Sequence, residues 1–267
     1  MIGPNRPIGE RAEKVVMSEL SGSASGPDRA REIDTSLTSV RERLHRACVD
    51  AGRSPADVAL LPVTKFFPAS DVRILYDLGC RDFGESREQD ASSKVAETAD
   101  DFSADPPRWH MIGHLQRNKA KSVAAWAHSI HSVDSARLVT ALSKATAAAL
   151  DEGVRRTELD VIVQVSLDGD VHRGGVEREE LHELADAVSN ASGLRLAGLM
   201  AVPPLDADPD AAFADLESLH ARLLVDHPGA LELSAGMTGD LEAAVRHGST
   251  CVRVGTAILG ARPITSQ

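Results

Sequence analysis

Short apolar runs alternate with helix-like stretches along most of this 267-residue chain. Strands that alternate with helices form a parallel sheet with helical crossovers. Buried strands are predicted at residues 58–63, 81–84, 108–112, 129–133, 159–165, 194–200, 231–234 and 251–254. Helix-like stretches begin near Ala69, Arg87, Gln116, Ser135, Glu177, Asp210 and Thr238. Eight strands favour a closed barrel over an open sheet, so we predict an α/β fold with a single (β/α)8 TIM barrel.

The first 34 residues differ from the rest of the chain in composition. They are rich in Gly, Pro, Ser and charged residues and show no sustained apolar period, so we predict a disordered extension over residues 1–34. Met17 lies within it and is a second candidate for the natural start. A helix is predicted from Ser36 to Ala51, because apolar residues recur on one face and Gly52 can end it. The predicted barrel domain comprises residues 35–267.

Lys65 directly follows the first predicted strand and precedes Phe66-Phe67-Pro68. In α/β folds, ligands bind where the C-terminal ends of the strands meet. Desolvation at such a position favours the neutral form of a lysine, and a neutral amine is a nucleophile towards a carbonyl. The alternative is a solvated lysine at the end of a strand, and position alone does not decide between the two.

Small residues follow the last two predicted strands, namely Ser234, Gly236, Met237 and Thr238 after one, and Gly255 and Thr256 after the next. Glycine lets a backbone approach a ligand closely, and free N–H groups suit a phosphate. In (β/α)8 barrels the loops after the seventh and eighth strands frequently bind phosphate. The alternatives are an ordinary helix cap at Thr238 and a plain turn at Gly255. A reactive lysine opposite a phosphate site fits an aldehyde that carries a phosphate, as pyridoxal 5′-phosphate (PLP) does.

Six segments of the chain, taken in order, resemble one known family. They are Thr64-Lys65, Phe83-Gly84-Glu85, residues 109–119, Gly198-Leu199-Met200, residues 234–238 and residues 252–256. With them, residues 36–262 resemble the pyridoxal-phosphate homeostasis proteins, which are single-domain relatives of the N-terminal barrel of alanine racemase. The resemblance implies a barrel that carries PLP as an internal aldimine on Lys65. It also implies a role in holding this reactive aldehyde and passing it to, or keeping it from, other proteins.

The resemblance assigns the cofactor-binding residues, which are Lys65, Ser86, His114, Met200, Ser234, Gly236, Met237, Thr238, Arg253, Gly255 and Thr256. Arg253 would face the pyridine nitrogen of PLP. Because an arginine stays protonated, that nitrogen would stay unprotonated, and the ring would then draw electrons poorly. Strand alternation places Arg253 on the opposite side from Val252 and Val254. From the sequence, an inward arginine paired with a carboxylate is equally open.

Two further positions follow from the resemblance. Ser86 stands where the family has an Asn that reaches the cofactor, and a hydroxyl has a shorter reach than an amide. His114, Gln116 and Asn118 would line the mouth of the cofactor site. His110 and His114 lack the additional ligands that a metal site needs, so no metal is expected.

An amino-acid racemase or decarboxylase of the same barrel fold is the rival interpretation. Racemases of this fold add a C-terminal β domain that supplies a catalytic tyrosine as a second base. This chain ends at Gln267, and its one tyrosine, Tyr76, falls in the first crossover helix, where Leu75 and Leu78 favour packing. Two-sided proton transfer would then lack a partner for Lys65. A regulatory binding module for a protein partner remains a third possibility and has no motif of its own.

Composition agrees with a single barrel. Hydrophobic residues make up 42% of the chain, and the net charge of −11 argues against a nucleic-acid surface. There is no apolar run of 18 residues and no apolar stretch of a signal peptide at the N-terminus. Cys48, Cys80 and Cys251 form no C-x-x-C pair, as is typical of free thiols in a reducing cytoplasm. We expect a cytoplasmic monomer whose partners are PLP and PLP-requiring apoenzymes, without nucleic acid or membrane.

Overall fold

Parallel strands form one eight-stranded sheet in the computed structural model, which describes residues 26–170, 173–204 and 206–262. The strands are β1 Ala59–Pro62, β2 Asp82–Glu85, β3 Arg108–Met111, β4 Ala127–Val133, β5 Leu159–Gln164, β6 Leu194–Met200, β7 Glu232–Ser234 and β8 Cys251–Val254. Each strand pairs with the next in the order β1-β8-β7-β6-β5-β4-β3-β2. The Thr64 N–H donates to the Gly84 carbonyl at 2.9 Å just beyond β1, which joins β1 to β2 and closes the barrel.

Helices connect the strands and cover the outside of the barrel. They are α1 Gly26–Asp50, α2 Ala69–Asp77, α3 Glu88–Thr98, α4 Ala120–Trp126, α5 Ala136–Asp151, α6 Leu181–Ser189, α7 Pro209–Asp226, α8 Leu241–Arg246 and α9 Thr256–Leu259. Two large apolar clusters lie between sheet and helices, and fully buried side chains such as Phe83 and Phe213 stabilise them by about 1.5–3 kcal/mol each. None of the described helices is both long enough and apolar enough to cross a bilayer.

The TIM-barrel prediction is confirmed, and each predicted strand lies within two residues of its observed bounds. The helix starts are less accurate. Short 3-10 turns at Arg117–Lys119 and Arg178–Glu180 precede α4 and α6. Helix α8 begins at Leu241 and not near Thr238, because the Asp240 carboxylate accepts the Met237 N–H at 2.6 Å and holds a turn there. The three cysteines are free, as predicted, and the structure shows all three buried.

The predicted start of the first helix is wrong, because α1 begins at Gly26 and not at Ser36. Ile33 is fully buried, and Arg29 donates to Asp71 of α2 at 2.6 Å and to the Leu259 carbonyl at 2.9 Å. The sequence did not indicate this N-terminal part of α1, because its composition is polar, and one isoleucine and one ion pair hold it to the barrel. Residues 26–34 therefore belong to the helix, while the rest of the predicted extension, with Met17, lies outside the described residues.

Candidate functional site

Lys65 lies on a turn at the C-terminal end of β1. The Phe67 N–H donates to the Thr64 carbonyl at 3.1 Å, which closes the turn. Phe66 has a φ of 68°, a left-handed conformation that costs a side-chain-bearing residue about 1–3 kcal/mol. The Lys65 side chain is exposed, so of the two alternatives that the sequence left open, the solvated lysine at the end of a strand is observed and the desolvated one is not. Its position at the barrel mouth is as predicted, but its amine is accessible rather than buried.

Positive charge surrounds the Phe66 ring beside Lys65. The Lys65 Nζ atom lies 5.9 Å from the ring centroid, and the guanidinium carbons of Arg87 and Arg262 lie 5.0 and 4.1 Å from it. These distances are within the range of cation–π contacts. The mouth of this mostly acidic chain is therefore locally positive where an anionic ligand would approach Lys65.

A buried ionic cluster lies directly beneath Lys65. Lys94 of α3 donates to Glu85 Oε1 at 2.5 Å and to the Thr64 carbonyl at 2.8 Å. The Thr64 hydroxyl donates to the same Glu85 oxygen at 2.5 Å. Thr64 and Glu85 are fully buried and Lys94 is nearly so, while Glu85 Oε2 is buried without a hydrogen-bond partner. The strand end that carries Lys65 thus rests on a charged pair inside the protein.

Arg253 of β8 is buried on the neighbouring strand, where it is the register partner of Leu61 of β1. Its guanidinium donates to the Ser234 hydroxyl at 2.7 Å and to the Ala201 carbonyl at 3.1 Å. No carboxylate of the described chain forms an ion pair with it, so the alternative of a carboxylate-paired arginine is wrong. Burial lowers the pKa of Arg253 from its usual value. A buried cation without an anion is costly and suits a site for an electron-rich ligand.

Ser234 connects Arg253 to a polar chain through the barrel interior. Its hydroxyl lies 2.9 Å from His131 Nδ1, and His131 Nε2 lies 2.9 Å from the Ser129 hydroxyl. That hydroxyl lies 2.7 Å from His110 Nδ1, and His110 Nε2 lies 2.8 Å from Asp82. Ser234 therefore bridges Arg253 and His131, which differs from the direct phosphate contact expected for it.

The far end of this series of hydrogen-bonded side chains opens into a cavity of about 250 Å³ at the N-terminal end of the barrel. Asp82, His110 and His131 are among the residues that line the cavity. Burial lowers the pKa of His131 well below its usual value, aided by the charges of His110 and Arg253. Burial alone would raise the pKa of Asp82, but hydrogen bonds from His110 and Arg108 outweigh it and lower this pKa to about 2. Among the described residues, no three His, Cys, Asp or Glu side chains are arranged to hold a metal.

The loops after β7 and β8 lie side by side at the mouth. Gly236 has a φ of 91°, and its carbonyl accepts the Arg253 N–H at 2.9 Å. Within the described residues, the backbone N–H groups of Gly236, Gly255 and Thr256 donate to no protein acceptor. A Cβ atom at Gly255 would lie 3.2 Å from the Val63 carbonyl, so a side chain would crowd this cradle. The two loops can therefore offer free amides to an anion, and the phosphate site at these loops stays a prediction.

The β7 loop is also held from outside. Arg43 of α1 donates to the Thr238 carbonyl at 2.7 Å and binds Glu242 through two hydrogen bonds of 2.6 Å each. Asp240, and not Thr238, is the N-cap of α8, so the alternative of an ordinary cap at Thr238 is wrong. The Thr238 hydroxyl makes no hydrogen bond within the described chain. The Met237 N–H is already bonded to Asp240, which removes it as a phosphate donor.

The remaining predicted site residues differ in their surroundings. Ser86 is half-buried, and its hydroxyl has no partner in the described chain. Its backbone packs closely against Gly113, because a Cβ atom at Gly113 would lie only 2.2 Å from the Ser86 carbonyl oxygen. His114 is 72% exposed beside Asp134, on an open pocket of about 710 Å³. Met200 is buried against Ile162 and Ala197 in a small cluster of its own. Gln116 and Asn118 line the same open pocket as His114.

Two groups of residues were not predicted to belong to the site. Lys94 shares the buried stripe of α3 with Ala91 and Thr98, and a charged residue inside a helical apolar stripe was the available signal. His131 gave no comparable signal, because its partner Ser234 is 103 positions away in the sequence. Tyr76 is confirmed as a packing residue, since its ring stacks on Phe102 and its hydroxyl donates to the Asp105 carbonyl at 2.8 Å.

Comparison with known proteins identifies close relatives. The family model described as the alanine racemase N-terminal domain matches residues 45–263. The pyridoxal phosphate homeostasis protein of Mycobacterium tuberculosis is 53% identical over 249 residues, which cover 90% of this chain and 96% of the relative. The protein of that name in Escherichia coli is 36% identical over 239 residues, covering 88% of this chain and 99% of the relative.

Solved structures agree with these sequence matches. PipY of Synechococcus elongatus, solved with PLP bound, superposes with a TM-score of 0.72 at 33% identity and covers 85% of this chain and 100% of its own. Alanine racemase from Corynebacterium glutamicum superposes with a TM-score of 0.62 at 13% identity, over 89% of this chain and 62% of the racemase. The second match shows a shared barrel fold and nothing about activity.

Proposed function

This chain belongs to the family of pyridoxal phosphate homeostasis proteins, within the alanine racemase N-terminal domain family, and on that premise we propose that it binds PLP at the barrel mouth and serves PLP homeostasis. One observation carries the proposal. The exposed amine of Lys65 lies on the turn that follows β1, and the buried guanidinium of Arg253, which has no carboxylate partner in the described chain, lies on the adjoining strand β8. A PLP-sized ligand offers an aldehyde to the first and a ring nitrogen to the second.

The residues present fit this cofactor. Bound PLP supplies an aldehyde that an amine captures reversibly. Lys65 is the amine for that capture, and Arg253 donates to the ring nitrogen. The unpaired N–H groups of Gly236, Gly255 and Thr256, with the hydroxyls of Thr238 and Thr256, bind the phosphate. Ser86, His114, Met200, Ser234 and Met237 complete the proposed set, with Ser234 acting by holding Arg253.

We propose carriage rather than catalysis. A guanidinium at the ring nitrogen keeps that nitrogen unprotonated, which disfavours carbanion chemistry. A second base opposite Lys65 is needed for racemisation. The Tyr76 hydroxyl is bonded to the Asp105 carbonyl instead. On this proposal the protein is a cytoplasmic monomer that buffers PLP or passes it to PLP-requiring apoenzymes.

Borohydride reduction followed by peptide mass mapping tests the proposed attachment. We expect a pyridoxyl adduct on Lys65 in the PLP-loaded protein. Lys121 is a matched control, because it is also exposed and lies on the mouth-proximal helix α4. The Lys121→Ala variant should keep the adduct. A reproducible adduct on Lys119 or Lys121 in place of Lys65 would contradict the assignment.

Exchange of L-alanine in deuterated water tests the rival function. We expect the PLP-loaded protein to form D-alanine far more slowly than a typical enzyme turns over, which is on the order of 10 per second. Turnover near that rate would show that a second base operates opposite Lys65, and the racemase interpretation would then replace ours.

A further inference from the structure

We propose that Lys94 is a positioning residue for Lys65, acting through Glu85 and Thr64. This inference rests on the proposed attachment of PLP to Lys65 and deepens it. Within the described residues, no hydrogen bond joins the Lys94 ammonium to a residue proposed to bind PLP. Its ammonium instead bonds the Thr64 carbonyl, which belongs to the peptide unit that joins Thr64 to Lys65. Because a peptide unit is planar, a bond that fixes this carbonyl also fixes the direction in which the chain enters Lys65.

The turn that presents Lys65 needs such support. The Thr64 carbonyl accepts two hydrogen bonds, from Lys94 Nζ at 2.8 Å and from the Phe67 N–H at 3.1 Å. Between them, Phe66 is held in the left-handed region that non-glycine residues avoid. Strained residues persist when the surrounding structure over-determines them. The hydrogen bond from Lys94 to the Thr64 carbonyl is the additional contact that holds this strained turn in place.

Stability alone does not explain why a lysine is buried here. A buried ion pair loses the hydration of both charges, and well-packed apolar residues often replace such pairs without loss of stability. Glu85 also leaves Oε2 buried without a partner, so the pair is not even fully satisfied. What the pair gives that apolar residues cannot is a directed hydrogen bond to one chosen carbonyl. That carbonyl is the one next to Lys65.

The test measures the attachment rate and the non-covalent affinity separately. In Glu85→Gln/Lys94→Met, the glutamine still accepts from the Thr64 hydroxyl, and no unpaired charge remains buried. PLP is mixed with each protein, and the absorbance change of covalent capture is followed at single turnover. We expect capture in this variant to be roughly ten- to hundredfold slower than in the parent, because a freed turn no longer aims the amine. Lys94→Met alone should show the same loss or more.

Non-covalent PLP affinity is measured in the Lys65→Ala background, with and without Glu85→Gln/Lys94→Met. We expect the two affinities to agree within about twofold, because a group that acts through Lys65 has no effect once Lys65 is absent. Arg195→Met is the matched control. It removes the cation bound to Asp160, a carboxylate nearly as buried as Glu85, at the opposite end of the barrel, and should leave the capture rate unchanged.

The outcomes separate the two claims. If the parent forms no borohydride-stable adduct at Lys65, the proposed function fails. If the parent forms it and the double variant captures PLP at the parental rate, the positioning role of Lys94 fails alone. A fall in affinity in the Lys65→Ala background would also overturn it, since Lys94 would then act on the ligand site by another route. Arg195→Met slowing capture equally would show that loss of any cation paired with a buried carboxylate has this effect.

Discussion

Lys65 and Arg253 lie on adjoining strands and differ in almost every physical respect. Lys65 is exposed on a strained turn, and its amine makes no hydrogen bond within the described residues. Arg253 is buried in the middle of the barrel, where Ser234 and the Ala201 carbonyl fix its guanidinium. The Lys65 amine is free to react with an aldehyde and to release it. The Arg253 guanidinium is fixed before any ligand arrives.

The difference suggests a division of labour within one site. An amine that must capture and release an aldehyde needs access, and the turn beyond β1 provides it. A group that must recognise a ring by one hydrogen bond gains from rigidity, because little freedom is then lost on binding. We call the ends of β1 and β2 the Lys65 side of the site, and we call β8 with the chain of hydrogen bonds that continues from Ser234 the Arg253 side. We infer that covalent capture depends on the Lys65 side and recognition of the ring on the Arg253 side. The two should therefore be separable by substitution.

Lys65→Ala should have the largest effect of any single change on capture. We expect complete loss of the borohydride-stable adduct. The free energy of unfolding should change by no more than about 0.5 kcal/mol, because the side chain is exposed and forms no hydrogen bond or ion pair within the described residues. Mass spectrometry after reduction and chemical denaturation measure the two quantities. A destabilisation of several kcal/mol would show that Lys65 supports the barrel, and the division of labour would not hold.

Arg253→Met should weaken recognition and leave a lysine able to react. Measured in the Lys65→Ala background, we expect non-covalent PLP affinity to fall by about 1.5–3 kcal/mol, the usual range for a hydrogen bond to a charged group. Equilibrium dialysis against PLP measures it. In the background of Lys65, capture should still occur at high PLP concentration.

Arg155 provides the control for a buried arginine. It donates to the carbonyls of Ala124, Ala127 and Thr157, and burial lowers its pKa as it does for Arg253. Arg155→Met should lower stability and leave PLP affinity unchanged. If both variants lose affinity alike, the effect of Arg253 comes from a loosened fold and not from contact with the ring.

The sequence predicted the architecture well because strand patterns are local. Each apolar run is short and bounded, and eight of them in alternation with helices leave few topologies other than a barrel. The error at α1 has the opposite cause. The turn that contains Arg29 is polar in sequence and is held by Asp71 and Leu259, which are distant along the chain. Tertiary contacts of that kind leave no periodic signal.

The site was predicted unevenly for the same reason. The positions of Lys65, Gly236 and Gly255 follow from strand ends, so they were found. The sequence left open whether Lys65 is desolvated or solvated, because exposure depends on neighbouring loops, and the structure shows it exposed. The partners of Arg253 were also missed, since Ser234 and Ala201 come from other strands. Strand alternation predicted on which side of the strand Arg253 lies but not which groups its guanidinium contacts.

The Arg253 side should also carry part of the sensitivity of stability to mild acid. Burial lowers the pKa of His131, so its neutral form is the one that the fold holds. Below pH 6.5 the His131 side chain binds a proton in the unfolded chain but not in the folded one. Its contribution to the free energy of unfolding is therefore fully present above that pH and is lost as the pH falls. Each such histidine contributes about 1.4 kcal/mol per pH unit.

His131→Asn should remove this contribution while keeping a donor and an acceptor. Denaturation between pH 7 and pH 5 should show a slope shallower than that of the parent by about 1.4 kcal/mol per pH unit below pH 6. His128 and His220 also have lowered pKa values through burial and should maintain the remaining slope. An unchanged slope in His131→Asn would mean that the folded barrel accepts a proton at this position.

Ser86→Asn should produce the smallest change and sharpen the account of the Lys65 side. Ser86 follows β2, the neighbour of β1, and its hydroxyl has no partner in the described chain. An amide reaches further than a hydroxyl, so asparagine can add one hydrogen bond to the cofactor, which we expect to tighten PLP retention by about 1 kcal/mol. Dissociation of PLP from parent and variant at one ionic strength measures this. Ser86→Ala is the control, and we expect it to lower PLP retention by less than Ser86→Asn raises it, because a hydroxyl reaches less far towards the cofactor than an amide. If Ser86→Ala loses PLP faster and Ser86→Asn retains it no better, the serine already contacts the cofactor. The Lys65 side would then bind its ligand by more than the covalent link.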